Sequence, residues 1–122
     1  MTAPHQPTNR SIGDVSEAIR WAETHIEQTF SIEDLAVRAH VSRSTFQRHF
    51  RKITGSAPLE WLTARRMDRA KHLLATTNLP IRAVARRSGF HDEPLFRYHW
   101  RRLVGGTPSG WRKKQSASRD AS

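Results

Sequence analysis

The sequence contains no cysteine among its 122 residues, and it lacks any long apolar run. The first absence excludes a disulfide framework, a thiolate zinc site and a cysteine nucleophile. The second excludes a membrane span, which needs roughly 18 consecutive apolar residues. The opening stretch MTAPHQPTNRS has no apolar segment of the kind found in secretory signals. These absences predict a cytoplasmic protein.

Acidic residues are scarce over most of the chain, although the first third carries several. The formal net charge is +10, and residues 38–114 hold 18 Lys and Arg against four acidic residues. Folding does not favour such an excess, because like charges repel in a compact state. The charge therefore indicates a polyanionic partner, with nucleic acid as the first candidate and an anionic membrane as the second.

One sequence motif occurs twice, at an offset of 50 residues. Residues 46–61 read FQRHFRKITGSAPLEW, and residues 96–111 read FRYHWRRLVGGTPSGW. The correspondence extends backwards and pairs Leu35-Ala36 with Val84-Ala85, Val41 with Phe90, and Ser42 with Asp92 after a one-residue insertion. A solenoid needs at least three repeats to bury a continuous core. Two copies of helix, short turn and Arg-rich helix instead indicate two helix-turn-helix units.

Helical periodicity predicts an all-α fold of about seven helices, in which a long linker helix joins the two units. The predicted N-terminal residues are Asp14, Ser31, Ser42 and Asp92 as caps, and Pro58 as the first residue of the linker helix. The predicted segments are a disordered leader or linker at 1–12, a first subdomain at 13–57, the linker helix at 58–77, a second subdomain at 78–114, and a disordered tail at 115–122.

The second helix of each unit has one apolar and one polar face. The expected core stripes are Phe46, Phe50 and Ile53 in the first unit, Phe96, Trp100 and Leu103 in the second, and a stripe that includes Leu59 in the linker. Outward-facing Arg can bond guanine through two hydrogen bonds, and Gln can bond adenine. Glu93 either accepts from cytosine or repels phosphate, and both alternatives stay open. Because the two polar faces differ, we expect an asymmetric DNA target.

Other chemistries have weak signals. The sequence contains no G-x-S-x-G turn and no paired carboxylates that would indicate an enzyme. His91, Asp92, Glu93 and His99 could collect a metal, but His49 and His99 share a repeat position and a structural role explains them better. We expect no metal, no cofactor and packing roles for the four tryptophans. Arg66, on the inward stripe of the linker, is left with three alternatives: backbone carbonyls, a carboxylate, or solvent.

Three longer phrases resemble the DNA-binding domain of the AraC/XylS family of bacterial transcription regulators over residues 14–113. They are SIEDLAVRAHVSRSTFQRHFRKITGSAPLEWL, RAKHLLATTNLPIRAVARRSGF and FRYHWRRLVGGTPSGWR. These sequence motifs are most similar to those of the family branch that carries an amidotransferase-like sensor domain. The resemblance implies a bilobal seven-helix fold that inserts one helix of each lobe into successive major grooves of promoter DNA. It also implies RNA polymerase as a further partner and activation as the outcome.

Transferred by position, the resemblance assigns base contacts to Arg43, Ser44, Gln47 and Arg48 in the first unit and to Glu93, Pro94, Arg97 and Tyr98 in the second. Phosphate contacts are expected from Ser42, Arg51, Lys52, Arg101 and Arg102. We expect this chain to bind DNA as a monomer and to be nucleoid-associated when bound. The alternative is a cationic helical protein that binds any polyanion, such as RNA or an anionic membrane.

Overall fold

Residues 9–120 of the chain, as described in a computed structural model, form seven α-helices and no strand. The helices are α1 (Asn9–Thr24), α2 (Ile32–Arg38), α3 (Arg43–Thr54), α4 (Pro58–Thr76), α5 (Ile81–Arg87), α6 (Glu93–Leu103) and α7 (Pro108–Asp120). The prediction of an all-α fold with two helix-turn-helix subdomains is confirmed. No helix within residues 9–120 combines the length and the apolar character needed to cross a membrane.

The chain divides into two compact units. The first unit contains α1, α2, α3 and the start of α4 as far as Leu62. The second unit contains the short segment Ile26–Thr29 and the chain from Thr63 onwards. The division therefore falls inside α4, the predicted linker helix.

Three short polar side chains define where helices begin. The Ser31 hydroxyl accepts from the Asp34 amide at 3.0 Å, and the Asp34 carboxylate accepts from the Ser31 amide at 2.9 Å. This is a complete capping box, as the sequence predicts. Ser42 accepts from the amide of Thr45 at the start of α3, and Asp92 accepts from that of Leu95 at the start of α6. Each cap satisfies an amide that has no partner inside its helix and contributes about 1 kcal/mol.

The turn inside each helix-turn-helix unit has the same hydrogen-bonding pattern. The amide of Val41 donates to the carbonyl of Ala36 at 3.1 Å, and the amide of Phe90 donates to that of Ala85 at 3.0 Å. The residue before each donor, His40 or Gly89, has a left-handed backbone with φ of 57° or 94°. These are Schellman motifs, in which the last carbonyls of a helix are capped by the chain that leaves it. The repeat seen in the sequence is thus a repeat of backbone structure.

Matching aromatic pairs occupy the two cores. The rings of Phe50 and Trp61 lie 5.3 Å apart in the first unit, and those of Trp100 and Trp111 lie 5.7 Å apart in the second. Both pairs meet edge to face at an interplanar angle of 79°. Such contacts add about 0.5–1.5 kcal/mol to the stabilisation from burial itself. The same aromatic contact therefore packs α3 against α4 in the first unit and α6 against α7 in the second.

Further apolar residues complete the two cores. In the first unit these include Val15, Ala18, Ile19, Ala22, Leu35, Ala36 and Phe46. In the second they include Met67, Ala70, Leu73, Leu74, Val84, Ala85, Phe90 and Phe96. Phe46 and Phe96, which share a repeat position, are both fully buried. Burial of each such side chain contributes about 1.5–3 kcal/mol.

The two ends of the helical region differ from the prediction. Helix α1 begins at Asn9, so Asp14 lies inside the helix rather than at its cap, and the predicted leader is helical from residue 9. Helix α7 continues to Asp120, so the predicted disordered tail is wrong for residues 115–120. The rest of the two predicted disordered segments, residues 1–8 and 121–122, lies outside the described residues.

Tertiary contacts explain the length of α7. Arg112 donates to the carbonyls of Leu74 at 3.1 Å and Leu79 at 2.8 Å, and Arg119 donates to the carbonyl of Ala75. The carbonyls of Leu74 and Ala75 belong to the last turn of α4, where no partner is available inside the helix. Sequence periodicity does not detect such contacts, because polar side chains on α7 make them.

Three residues assigned to core stripes are exposed. Ile53, Leu59 and Leu103 have exposed fractions of 41%, 66% and 54%. Ile53 and Leu103 share a repeat position near the ends of α3 and α6, and Leu59 lies in the first turn of α4. At helix ends, residues can continue the apolar spacing of the sequence although that part of the helix no longer contacts the core. Periodicity alone therefore extends the stripe too far.

Candidate nucleic-acid interface

Helix α3 turns its polar face to solvent. The four predicted base-contacting residues, Arg43, Ser44, Gln47 and Arg48, are all exposed. The predicted phosphate-contacting residues Arg51 and Lys52 are exposed as well. Phe46, His49 and Phe50 on the opposite face are buried. The structure therefore brings the predicted residues of the first unit together on one helix face.

Ser42 precedes this face as the N-cap of α3. Its hydroxyl accepts from the Thr45 amide at 3.2 Å and donates to the Thr45 hydroxyl at 3.0 Å. The hydroxyl is thus already bonded within the helix start. A phosphate at this position would find its donors among the amides of the first turn, to which the helix dipole adds a partial positive charge.

Helix α6 repeats this arrangement with different chemistry. Pro94, Arg97, Tyr98, Arg101 and Arg102 are exposed, and Glu93 is half-buried. Phe96 and Trp100 occupy the buried face. Pro94 lies in the first turn, where its missing amide proton costs no helical hydrogen bond. The polar surface of α6 accordingly offers guanidinium groups, a phenol and one carboxylate.

Two of the predicted base-contacting arginines are ion-paired. Nη1 of Arg43 lies 3.0 Å from Oε1 of Glu33, which belongs to α2. Arg97 directs both Nε, at 3.3 Å, and Nη2, at 2.9 Å, to Oε1 of Glu93 one turn earlier in the same helix. Sequence analysis did not identify Glu33 as a site residue. Glu33 and Arg43 are ten positions apart and lie in different helices, so the periodicity of a single helix does not reveal their contact.

Two histidines at matching repeat positions lie behind the recognition surfaces. Burial lowers the pKa of His49, and the charges of Arg48 and Lys52 lower it further. Burial also lowers the pKa of His99, with an additional contribution from Arg102. Both pKa shifts favour the neutral imidazole, as expected for groups that pack against the core. Across residues 9–120, no cluster of three or more His, Cys, Asp or Glu side chains is placed to hold a metal ion.

The tryptophans and Arg66 have structural roles. Trp100 is buried against Phe96 and Trp111, Trp61 contacts Phe50, and Trp21 stacks on His25 with ring centroids 4.3 Å apart. The predicted packing roles are thus confirmed. Of the three alternatives for Arg66, the structure selects backbone carbonyls: its guanidinium donates to Ile26 at 3.3 Å and Gln28 at 3.1 Å.

Additional cations lie outside the two recognition helices. Arg82, Arg86 and Arg87 are exposed on α5, the first helix of the second helix-turn-helix unit. In proteins with this motif the first helix crosses the DNA backbone. Sequence analysis counted these charges but did not assign them to the site. Their position on the helix before α6 is the signal that could have identified them.

Two helix-turn-helix units with exposed arginine-rich second helices define a class of DNA-binding protein. The match to known families agrees: residues 35–114 match the family described as "Helix-turn-helix domain". The chain belongs to this family, and its relatives show that it is of the AraC type. The predicted resemblance to the AraC/XylS DNA-binding domain is thereby confirmed, while the assignment to the branch with an amidotransferase-like sensor domain stays a prediction.

Curated relatives support the same assignment. The chain is 33% identical over 99 residues to the arabinose operon regulatory protein of Escherichia coli strain K12, which covers 80% of this chain and 34% of that protein. It is 32% identical over 110 residues to the arabinose operon regulatory protein of Salmonella typhimurium strain LT2, covering 88% of this chain and 38% of that protein. The chain thus spans just over a third of the length of these relatives.

Solved structures show the same fold. The DNA-binding domain of AdpA, a global transcriptional factor crystallised with a target DNA, superimposes with a TM-score of 0.85 at 40% identity, over 89% of this chain and 98% of that one. The C-terminal domain of AraT, a response regulator from Geobacillus stearothermophilus, gives a TM-score of 0.79 at 27% identity, over 83% of this chain and 84% of that one.

Proposed function

We propose that the chain binds an asymmetric double-stranded promoter site through α3 and α6, each in a major groove, and thereby regulates transcription. The observation that carries the proposal is the duplicated recognition helix. Each copy is held by the same capped turn and the same aromatic pair, and each exposes arginine and hydrogen-bonding groups. AdpA, with the same fold at 40% identity, was solved in complex with a target DNA.

Base contacts come from the first two turns of the two helices. In the first unit we assign them to Arg43, Ser44, Gln47 and Arg48, and in the second to Glu93, Pro94, Arg97 and Tyr98. Arg can form two hydrogen bonds to guanine, Gln can do so to adenine, and Pro94 contributes apolar contact with a thymine methyl. Because the two sets differ, the two half-sites differ in sequence.

Phosphate contacts surround these first turns. We assign them to Ser42, Arg51 and Lys52 in the first unit, to Arg101 and Arg102 in the second, and in addition to Arg82, Arg86 and Arg87 on α5. Such contacts fix the register of the protein on the duplex and carry most of the salt dependence. The +14 charge of residues 38–114 supports this division, because cations greatly outnumber the base-contacting positions.

The wider role follows from the proposed DNA target. We assign the chain to the cytoplasm, at the nucleoid when it is bound, with activation through RNA polymerase as the outcome. One chain supplies both recognition helices, so this chain binds as a monomer and needs neither a cofactor nor catalysis.

Selection from a random duplex pool at near-physiological salt tests the proposal. We expect an enriched asymmetric motif with two blocks about one helical turn, roughly 10 base pairs, apart. A pool that remains unenriched would instead support general polyanion binding. A palindromic motif would contradict the assignment of different half-sites to α3 and α6.

A further inference from the structure

Two of the arginines assigned to base contact have acidic partners. Arg43 pairs with Glu33, and Arg97 pairs with Glu93. Each carboxylate lies beside a helix that is proposed to contact DNA, where a lone carboxylate lowers the affinity for DNA. A compensating role is therefore expected for Glu33 and Glu93.

The Glu93–Arg97 pair restrains the guanidinium in a definite orientation. Nε and Nη2 of Arg97 both contact the same carboxylate oxygen, at 3.3 and 2.9 Å. These two nitrogens form one edge of the planar group. The end formed by Nη1 and the second proton of Nη2 stays available, and that end can bond the N7 and O6 atoms of guanine together. Glu93 can thus remain bonded while Arg97 contacts a base.

The Glu33–Arg43 pair in the first unit uses a different part of the guanidinium. Only Nη1 of Arg43 contacts Glu33, at 3.0 Å, so the Nε and Nη2 edge stays available for a base. This pair is the more exposed of the two, with side-chain exposed fractions of 58% and 68% against 43% and 37% for Arg97 and Glu93. Solvent screening weakens exposed pairs. The restraint on Arg97 is therefore the stronger one.

We infer that Glu33 and Glu93 are positioning residues that raise DNA selectivity, by orienting Arg43 and Arg97 toward base edges while weakening their attraction to phosphate. The inference rests on the proposed function. Phosphates occur at every nucleotide and attract a guanidinium through its charge, which the adjacent carboxylate offsets. A guanine edge requires a defined orientation, which the carboxylate supplies. The two effects act in opposite directions on specific and nonspecific binding.

The experiment compares Glu93→Ala and Glu33→Ala with Glu60→Ala in the full chain. Glu60 is an exposed acidic residue in the first turn of α4, as Glu93 is an acidic residue in the first turn of α6. Its substitution reports the general gain in affinity from removing one negative charge. Dissociation constants are measured for the duplex enriched by selection and for a scrambled duplex of the same composition, and melting temperatures establish that each variant is folded.

We expect Glu93→Ala to lower the ratio of specific to nonspecific affinity by roughly twofold to fivefold relative to Glu60→Ala, with a smaller decrease for Glu33→Ala. In an Arg97→Ala background, Glu93→Ala should have no more effect than Glu60→Ala, because the side chain that it positions is gone. A purely structural role of Glu93 would persist in that background.

Three results overturn the inference in distinguishable ways. An unchanged ratio in Glu93→Ala, with both affinities raised as in Glu60→Ala, means that Glu93 acts only through its charge. A decrease in the ratio that persists without Arg97 means that Glu93 contacts a base itself, as an acceptor from cytosine, rather than acting through Arg97. Equal affinity of the unsubstituted chain for the two duplexes overturns the proposed function itself, and the inference with it.

Discussion

Individual arginines on the two recognition helices are expected to differ in role according to their position. Arg48 lies on the exposed face of α3 near its start, where its Nη2 is 3.5 Å from the Thr45 hydroxyl, whereas Arg101 lies in the last turn of α6. In helix-turn-helix proteins the N-terminal residues of the recognition helix contact base edges. Residues farther along the helix reach the backbone.

Substitution of these two arginines tests that division. We expect Arg48→Ala to cost roughly 1–3 kcal/mol of binding free energy on the selected site and to relax preference at one base pair. Arg101→Ala should weaken binding about equally on all sequences and reduce the salt slope by about 1. The measurement is a salt titration of binding to the selected duplex and to its single-base variants. Uniform losses for both variants would contradict the assignment.

Protonation of the buried His49 and the half-buried His99 gives a second prediction at this scale. His49 and His99 have pKa values below the usual 6.5, because burial and neighbouring cations disfavour the charged form. Below about pH 6.5 the unfolded chain binds protons that the folded chain does not. The free energy of unfolding should therefore be greatest above this pH and should fall as the pH decreases below it.

Urea unfolding at pH 7.5 and pH 5.5 provides the measurement. His49→Gln removes one of the two groups, so the stability difference between the two pH values should shrink. His72→Gln, at an exposed position on α4, is the control and should leave the difference unchanged. An undiminished difference in His49→Gln would show that other groups cause the pH dependence.

At the scale of helices and turns, two of the left-handed glycines, Gly55 and Gly89, differ in their surroundings. Gly55 ends α3 with φ of 80° and has open space where a side chain would start, whereas Gly89 has φ of 94°. A Cβ atom at Gly89 would collide with the carbonyl oxygen of Ile26 and the side chain of Arg66. The same two groups form the hydrogen bond that attaches Ile26 to α4. Gly89 is therefore required by packing as well as by its dihedral angle.

Alanine substitution separates these two requirements. Gly55→Ala should cost about 1 kcal/mol of the free energy of unfolding, from backbone strain alone. Gly89→Ala should cost clearly more, because it also displaces Arg66 from its carbonyl acceptors. Equilibrium urea unfolding of both variants measures the difference. Equal costs would mean that the Ile26–Thr29 segment moves aside without loss.

Prediction from the sequence was accurate for the starts of α2, α3, α4 and α6, and wrong for the start of α1 and the end of α7. Ser31, Ser42, Asp92 and Pro58 were correctly placed, because caps act within three or four residues. The extent of α7 was not predicted, because it depends on Arg112 and Arg119 contacting carbonyls more than thirty positions away.

For the whole molecule, the proposed function predicts a preferred spacing between the two half-sites. Helices α3 and α6 belong to one chain and are joined in sequence through α4, which runs from Pro58 to Thr76. If each of the two helices binds one half-site, the connecting chain limits the distance that both can bridge. We therefore expect affinity to depend on the number of base pairs between the half-sites.

Insertion of base pairs between the half-sites tests this expectation. Five added base pairs rotate one half-site by about half a turn, so affinity should fall to that of a single half-site. Ten added base pairs restore the rotation but not the distance, and affinity should stay low. Electrophoretic mobility shifts with the three duplexes measure the effect. Equal affinity for all three would show that the two units bind independently.

The sequence by itself determined the starts of α2, α3, α4 and α6, the duplication of the helix-turn-helix unit, the polar faces of α3 and α6, and the excess of positive charge, because these follow from periodicity, capping and composition. Only the tertiary structure decided that Arg43 is paired with Glu33, which carbonyls hold Arg66 and Arg112, and which apolar residues at helix ends remain exposed. The physical reason is that these contacts join groups on different turns or helices. Their distances depend on packing, which local sequence patterns do not encode.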